Sequence, residues 1–264
     1  MTTPAVSVLM GVRNGAPWVG EAVASLLAQT AADLEVILVD DGSTDATATL
    51  LADLRDPRLQ VERQEAAGLT RALVRALARA RAPLLARLDA DDLARPERFA
   101  RQRAFLEAHP EVGLLGSGAV ETDAAGHELR RVVPPAAHEA LRWALIRRNP
   151  IVHSSVIMRR EAVERAGGYD PAFAVAQDYD LWMRMSRVTR LANLPELLVV
   201  RRLLPGRVSA GREAERLAAE ARIRWRAVRA GEYPSWCAVF AARPALARAL
   251  PGALRRVLRL RRDG

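Results

Sequence analysis

The chain of 264 residues carries 40 basic residues, all of them arginine, against 31 acids, for a formal charge of +9 and a pI near 11.1. Half of it is hydrophobic and 5% aromatic, an ordinary globular composition with an aliphatic core that excludes a disordered chain. A single cysteine, Cys237, excludes an internal disulfide framework and a thiolate metal cluster.

The charge is unevenly spread. Residues 211–264 hold 13 arginines against 5 acids, whereas the first 210 hold 27 against 26. The sequence therefore divides into a nearly neutral domain, 1–210, and a basic extension, 211–264. A pI above about 9 ordinarily raises nucleic-acid binding. The excess lies in the extension, no recognisable nucleic-acid-binding motif accompanies it, and no nucleic-acid partner is expected. No stretch approaches about 18 consecutive apolar residues, so no membrane span is expected. The N-terminus lacks the basic start and apolar run of a signal peptide, which predicts a cytoplasmic protein.

Residues 5–10 read as a buried strand. Val19, Val23, Leu26 and Leu27 share one face of a helix over 17–29. A second strand, 34–39, runs into Asp40, Asp41, Gly42 and Ser43. A helix over 44–54 and a strand over 58–62 follow. Leu69, Leu73 and Leu77 mark a helix that ends near Pro83, and a strand over 84–88 runs into Asp89, Ala90, Asp91 and Asp92. Such alternation predicts right-handed crossovers and a mainly parallel sheet, with ligands beyond the carboxyl ends of its strands. Both acidic clusters fall at such ends. The second half is less regular: a helix over 96–108 with proline near its start, a strand over 112–116, a strand over 151–158 carrying His153, a loop over 167–170, a helix over 179–186 and an extended stretch over 191–200. After Ser209 the chain reads as helical, with breaks at 231–234 and 251–252.

Two carboxylates one residue apart at a strand end, Asp89 and Asp91, can hold a hard divalent cation together with substrate phosphates, or can simply form a solvated turn. A carboxylate of the Asp40–Asp41 pair can accept from a nucleobase N–H or a ribose hydroxyl. The same run also reads as a strand-to-helix turn, with Gly42 supplying backbone freedom and Ser43 or Thr44 capping.

Five ordered blocks carry a resemblance. They are Val6-Ser7-Val8-Leu9-Met10-Gly11-Val12-Arg13-Asn14-Gly15, the run Val39 to Asp45, Gly68 to Leu73 followed by Ala86 to Asp92, Asn149 to Ser155, and Gln177-Asp178-Tyr179-Asp180-Leu181-Trp182. Together they resemble the inverting glycosyltransferases of family 2. The resemblance implies an α/β GT-A fold, a Rossmann-like and mainly parallel central sheet flanked by helices, here with a helical C-terminal extension. It implies transfer of a sugar from a nucleotide diphosphate donor, most often a uridine one, to a hydroxyl acceptor on a saccharide or lipid-linked sugar, in cell-surface polysaccharide or glycoconjugate assembly. Asp41, with Asp40, would contact the nucleoside and Arg71 would lie near the nucleotide. Asp89 would approach the ribose or phosphates, and Asp91 would ligate Mg²⁺ or Mn²⁺. Asp178 would be the base that deprotonates the acceptor in one inverting displacement. Its other reading is the N-cap of a helix beginning near Tyr179. His153 reads either as a donor or acceptor contact or as a hydrogen-bonded strand histidine.

Three positions depart from the family pattern. Gln177 stands where Glu is usual, Leu204 where His is usual before Pro-Gly, and Val74 where Asn is usual. They keep a catalytically weak nucleotide-sugar-binding protein open as a reading. A nucleotidyltransferase is a further alternative, although Gly11 to Gly15 makes a poor phosphate loop. The extension mixes arginine with Trp225, Trp236, Val239 and Phe240. It can lie on the anionic inner face of a membrane, or pack on the catalytic domain with its arginines in solvent.

Overall fold

β1 (Val6–Val12) and β2 (Leu34–Asp41) are buried at every residue, as near-continuous apolar runs must be when helices cover both faces of a parallel sheet. The computed structural model describes residues 3–204 and 212–242. By internal contacts the chain falls into two compact units, Met1–Arg207 and Val208–Gly264.

In the first unit α1 (Val19–Leu27), α2 (Thr47–Asp53) and α3 (Leu69–Arg79) alternate with β1, β2, β3 (Leu59–Gln64) and β4 (Leu84–Arg87). β1 pairs in parallel with both β2 and β4, and β2 with β3. The chain thus winds from β1 to β3 in one direction, then crosses back to add β4 on the other side of β1. Sheets wound in this way bind their ligands where the winding reverses, here beyond the carboxyl ends of β1 and β4. α1 buries Val19, Ala22, Val23 and Leu26 into a core with Val8, Met10, Leu38, Leu88 and Phe99. Each such large side chain is worth about 1.5–3 kcal/mol when fully buried.

Beyond β4 the nine-stranded sheet runs β8, β6, β9, β5, with β7 paired to β6. β6 (Val112–Thr122) is buried over its 11 residues. It lies parallel to β9 (Arg190–Arg202) and antiparallel to β7 (Glu128–Val132) and β8 (Ile157–Arg159). β5 (Leu93–Ala94) joins β9 antiparallel. α4 (Arg98–Ala108), α5 (His138–Leu145), α6 (Arg160–Arg165) and α7 (Gln177–Val188) complete this unit.

Two expectations are corrected. The strand expected over 151–158 is only β8. His153–Ser155 instead form a 3₁₀ turn, in which the backbone N–H and the hydroxyl of Ser155 both donate to the Val152 carbonyl, at 3.0 and 2.9 Å. Serine offers its backbone a local alternative to the ladder. α7 begins at Gln177 with Ala176 as its N-cap, so Asp178 lies inside the first turn and does not cap it. β5, β7, α5 and α6 carry no clear sequence pattern and were not expected.

The second unit contains α8 (Glu213–Arg229) and a 3₁₀ turn, Ser235–Cys237, with Gly231 at φ 72° between them. Arg216, Glu220 and Arg224 form an i, i+4 ladder of ion pairs along α8. The break expected at 251–252 lies outside the described residues. Among the described residues no helix is long and apolar enough to cross a membrane.

Candidate functional site

The loops after β1 and β2 are laced together. Asn14 takes a left-handed conformation, φ 54°, and its Oδ1 accepts from the backbone N–H of Thr44 at 2.8 Å. The Asn14 N–H donates to Ser43 Oγ and the Gly15 N–H to Thr47 Oγ1, each at 2.9 Å. Successive strand residues face opposite sides, and Asp40 and Asp41 divide accordingly. Asp40 Oδ1 accepts from the Ser43 N–H at 2.9 Å, and its Oδ2 lies 3.6 Å from Arg63 Nε. Asp41 is 3% exposed. Its Oδ1 accepts from Gln64 Nε2 and the Ala67 N–H, and its Oδ2 from the Gly68 N–H, at 2.7–2.8 Å. This carboxylate therefore shapes the loop that starts α3. Gly42 closes the turn at φ 68°, and a Cβ there would meet the Ala66 nitrogen at 2.8 Å. Arg71 stands exposed in the first turn of α3.

The turn after β4 gathers Asp89, Asp91 and Asp92, one oxygen of each lying within 4.8 Å of the others. Three buried or nearly buried guanidinium groups surround it. Arg87, fully buried, pairs with Asp89. Arg98, also fully buried, donates to the carbonyls of Arg87 and Val156, and burial pushes it down to about 9. Arg202 donates through its backbone to Asp92 at 3.0 Å and through its side chain to the Asp91 carbonyl at 3.2 Å. Ser154 Oγ lies in hydrogen-bond contact with both Asp89 and Asp92. The all-oxygen donor set suits a hard divalent cation.

Next to Ser154, His153 Nε2 is 3.0 Å from the Tyr169 hydroxyl, and the imidazole meets Trp182 edge-on at 6.0 Å between centroids. Burial, helped by the Arg87 charge, drives this imidazole down to about 4, while Asp178 and Asp89 pull the other way. Burial likewise raises the Tyr169 phenol. His153 is thus a neutral group lying in the fields of both carboxylates. Asp178, partly exposed on α7, accepts from Asn149 Nδ2 at 2.8 Å. The segment leading into α7 is tied back to α3, where Thr70 Oγ1 donates to the Phe173 carbonyl at 2.6 Å.

The fold accordingly brings Asp89, Asp91, His153 and Asp178 to one place, with Asp40, Asp41 and Arg71 on the neighbouring strand end and helix. Asn149, Ser154 and Asp92 were not singled out for roles. Asn149 and Ser154 stood in a quoted block and Asp92 in the acidic run, but only tertiary contacts give them their partners. Gln177 is buried. A neutral amide there spares the helix start a second buried carboxylate. Arg202, two residues before Leu204, is committed to Glu21, Asp91 and Asp92.

Residues 7–167 match the family model for glycosyl transferase family 2. The amylovoran biosynthesis glycosyltransferase AmsE of Erwinia amylovora is 37% identical over 180 residues, covering 66% of this chain and 66% of that protein. The chain thus spans just under two thirds of that relative. Among solved structures, S. aureus TarS in complex with UDP-GlcNAc superposes with a TM-score of 0.67 at 18% identity, over 83% of this chain and 66% of that one. The mannosyltransferase PcManGT of Pyrobaculum calidifontis, in complex with GDP-Man and Mn²⁺, gives 0.67 at 22% identity, over 100% and 81%. These likenesses establish the GT-A fold. The family match covers more than half of the sequence and includes the acidic turn, and the chain belongs to glycosyl transferase family 2.

Proposed function

We propose that the first unit transfers a sugar, with inversion, from a UDP-linked donor to a hydroxyl of a saccharide or lipid-linked acceptor in polysaccharide assembly. The observation that carries this reading is the meeting of two carboxylates from distant parts of the chain. One short stretch touches both: Asn149 donates to Asp178 on α7 at 2.8 Å, and Ser154 donates to Asp89 on the β4 turn at 2.9 Å. One end of the site then serves the diphosphate and the other the acceptor.

Asp41 holds the loop against which the nucleoside lies, with Asp40 supporting the β2 turn and Arg71 beside the nucleotide. Asp91, with Asp89, would hold Mg²⁺ or Mn²⁺, which supplies positive charge to the leaving diphosphate. Asp178 takes the proton of the acceptor hydroxyl as that oxygen bonds to the anomeric carbon. The bond from that carbon to the diphosphate breaks, and its electron pair leaves with the phosphate oxygen. His153, neutral, contacts the donor or acceptor between them. The likeness to AmsE, an amylovoran biosynthesis glycosyltransferase, supports a polysaccharide setting, and the ligand of TarS supports a UDP-sugar.

The test is thermal stabilisation by UDP, GDP, CMP and dTDP with and without Mn²⁺, followed by hydrolysis of the matching nucleotide sugars. Metal-dependent stabilisation by at least one diphosphate is expected, diminished in Asp91→Ala. Asp178→Asn is expected to keep that stabilisation and to lose turnover by about 10²–10⁴-fold, the usual contribution of a general base. Absence of any diphosphate binding would overturn the reading.

A further inference from the structure

Asp178 lies in the first turn of α7, where Ala176 caps the helix without any side-chain hydrogen bond. A carboxylate on a short, rotatable stem needs something to fix its plane. That something comes from the stretch between α5 and the His153 turn. Asn149 Nδ2 donates to Asp178 Oδ2 at 2.8 Å. The far end of the same amide is also held, because Asn149 Oδ1 accepts from the Ile151 N–H at 3.2 Å. The second bond fixes which end of the amide faces Asp178, so the contact is a donor to the carboxylate. The segment carrying Asn149 is itself anchored to α7, since the Tyr179 hydroxyl, next along the helix from Asp178, donates to the Leu145 carbonyl at the end of α5. Among the described residues no donor reaches Asp178 Oδ1.

We propose that Asn149 is the positioning residue of the base: it locks Asp178 Oδ2 and so presents Oδ1 to the acceptor hydroxyl. This rests on the reading of Asp178 given above. In the step itself the acceptor O–H bond breaks, its proton passes to Oδ1, and Oδ2 keeps its hydrogen bond to the amide throughout. An amide suits the task on charge grounds. A cation at 2.8 Å would hold the carboxylate ionised too strongly to accept a proton, and a second carboxylate would hinder its ionisation. The surrounding groups are consistent with this. His153 and Tyr169 face Asp178 as neutral groups, Arg87, Arg201 and Asp89 share the same field beyond them, and Asp180 on α7 is paired with Arg184.

The experiment compares wild type, Asn149→Ala and Asn149→Asp. The Asp178 carboxyl is titrated by ¹³C NMR, its resonance assigned as the one missing in Asp178→Asn, and hydrolysis of the best nucleotide sugar of the panel is followed against pH. Removing a donor to the ionised form moves the Asp178 titration to higher pH, and a second carboxylate moves it further. The same displacement is expected in the acidic limb of kcat. At the wild-type optimum kcat falls by about 10–100-fold, the rate equivalent of losing one hydrogen bond to a charged group, while KM for the donor stays within about twofold. Asn149→Asp is nearly isosteric and keeps the test alive should Asn149→Ala unfold. An Asp178 titration unmoved in the variants would overturn the inference. So would a moved titration with kcat unchanged, or a loss confined to donor KM. If Asp178→Asn retains full turnover, the reading of the base fails instead.

Discussion

At the scale of single residues, the His153 imidazole carries a consequence for pH that no count of charges would reveal. Its value in the folded chain is about 4, driven down by burial from an ordinary 6.5. The unfolded chain therefore binds this proton first as pH falls. The stability His153 contributes is fully present above about pH 6.5 and is lost between there and about pH 4. The shift corresponds to on the order of 3 kcal/mol. Urea midpoints measured across that window are expected to fall steeply for the wild type and to be flatter for His153→Gln. Parallel curves for the two proteins would show that another group titrates. The carboxylates held low by hydrogen bonds, Glu35 and Asp45 among them, lose their contribution only at lower pH, as they protonate.

At the scale of elements, the first four strands and three helices were legible because each carries one periodicity over enough residues. β1 and β2 are apolar runs interrupted only by Ser7 and Glu35 before the acidic end of β2, and α3 repeats leucine at 69, 73 and 77. The acidic residues were legible for the same reason, since they directly follow such runs. The stretch 151–158 misled because Ile151, Val152, Val156 and Ile157 imitate a strand, whereas the Ser155 hydroxyl and N–H favour a local turn. The start of α7 was misplaced because Ala176 gives no capping signal. Its φ is 58°, a left-handed value that costs a residue bearing a Cβ roughly 1–2 kcal/mol. Ala176→Gly is therefore expected to stabilise the protein by about 1 kcal/mol, read as a higher urea midpoint. Unchanged or lowered stability would mean that the methyl group earns its place through packing. Asn149 and Ser154 were illegible as partners, since their acceptors lie 29 and about 60 residues away along the chain.

At the scale of the whole molecule, the charge of +9 belongs mostly to the last 54 residues. In the described part of that region Trp225, Trp236 and Val239 are exposed, and Arg229 lies over the Trp225 ring at 5.7 Å. Aromatic and cationic groups side by side on a surface match what an anionic bilayer interface accepts. The full chain is expected to float with vesicles containing anionic lipid and to remain behind with zwitterionic ones, and added salt should release it. A chain ending at Ala210 should float with neither. Equal partitioning of the two chains would place the arginines in solvent alone.

The clamp on Asp41 sets how this protein tolerates change. Two of its three donors are main-chain amides, of Ala67 and Gly68, so side-chain identity at position 67 is not what holds the loop. Position 68 is narrower, because its φ of 92° favours glycine. Chain length is stricter still. A residue inserted or removed between Gln64 and Gly68 would withdraw both amides from the carboxylate at once. In a mutational scan, this segment should accept many substitutions at position 67 and almost no insertions or deletions.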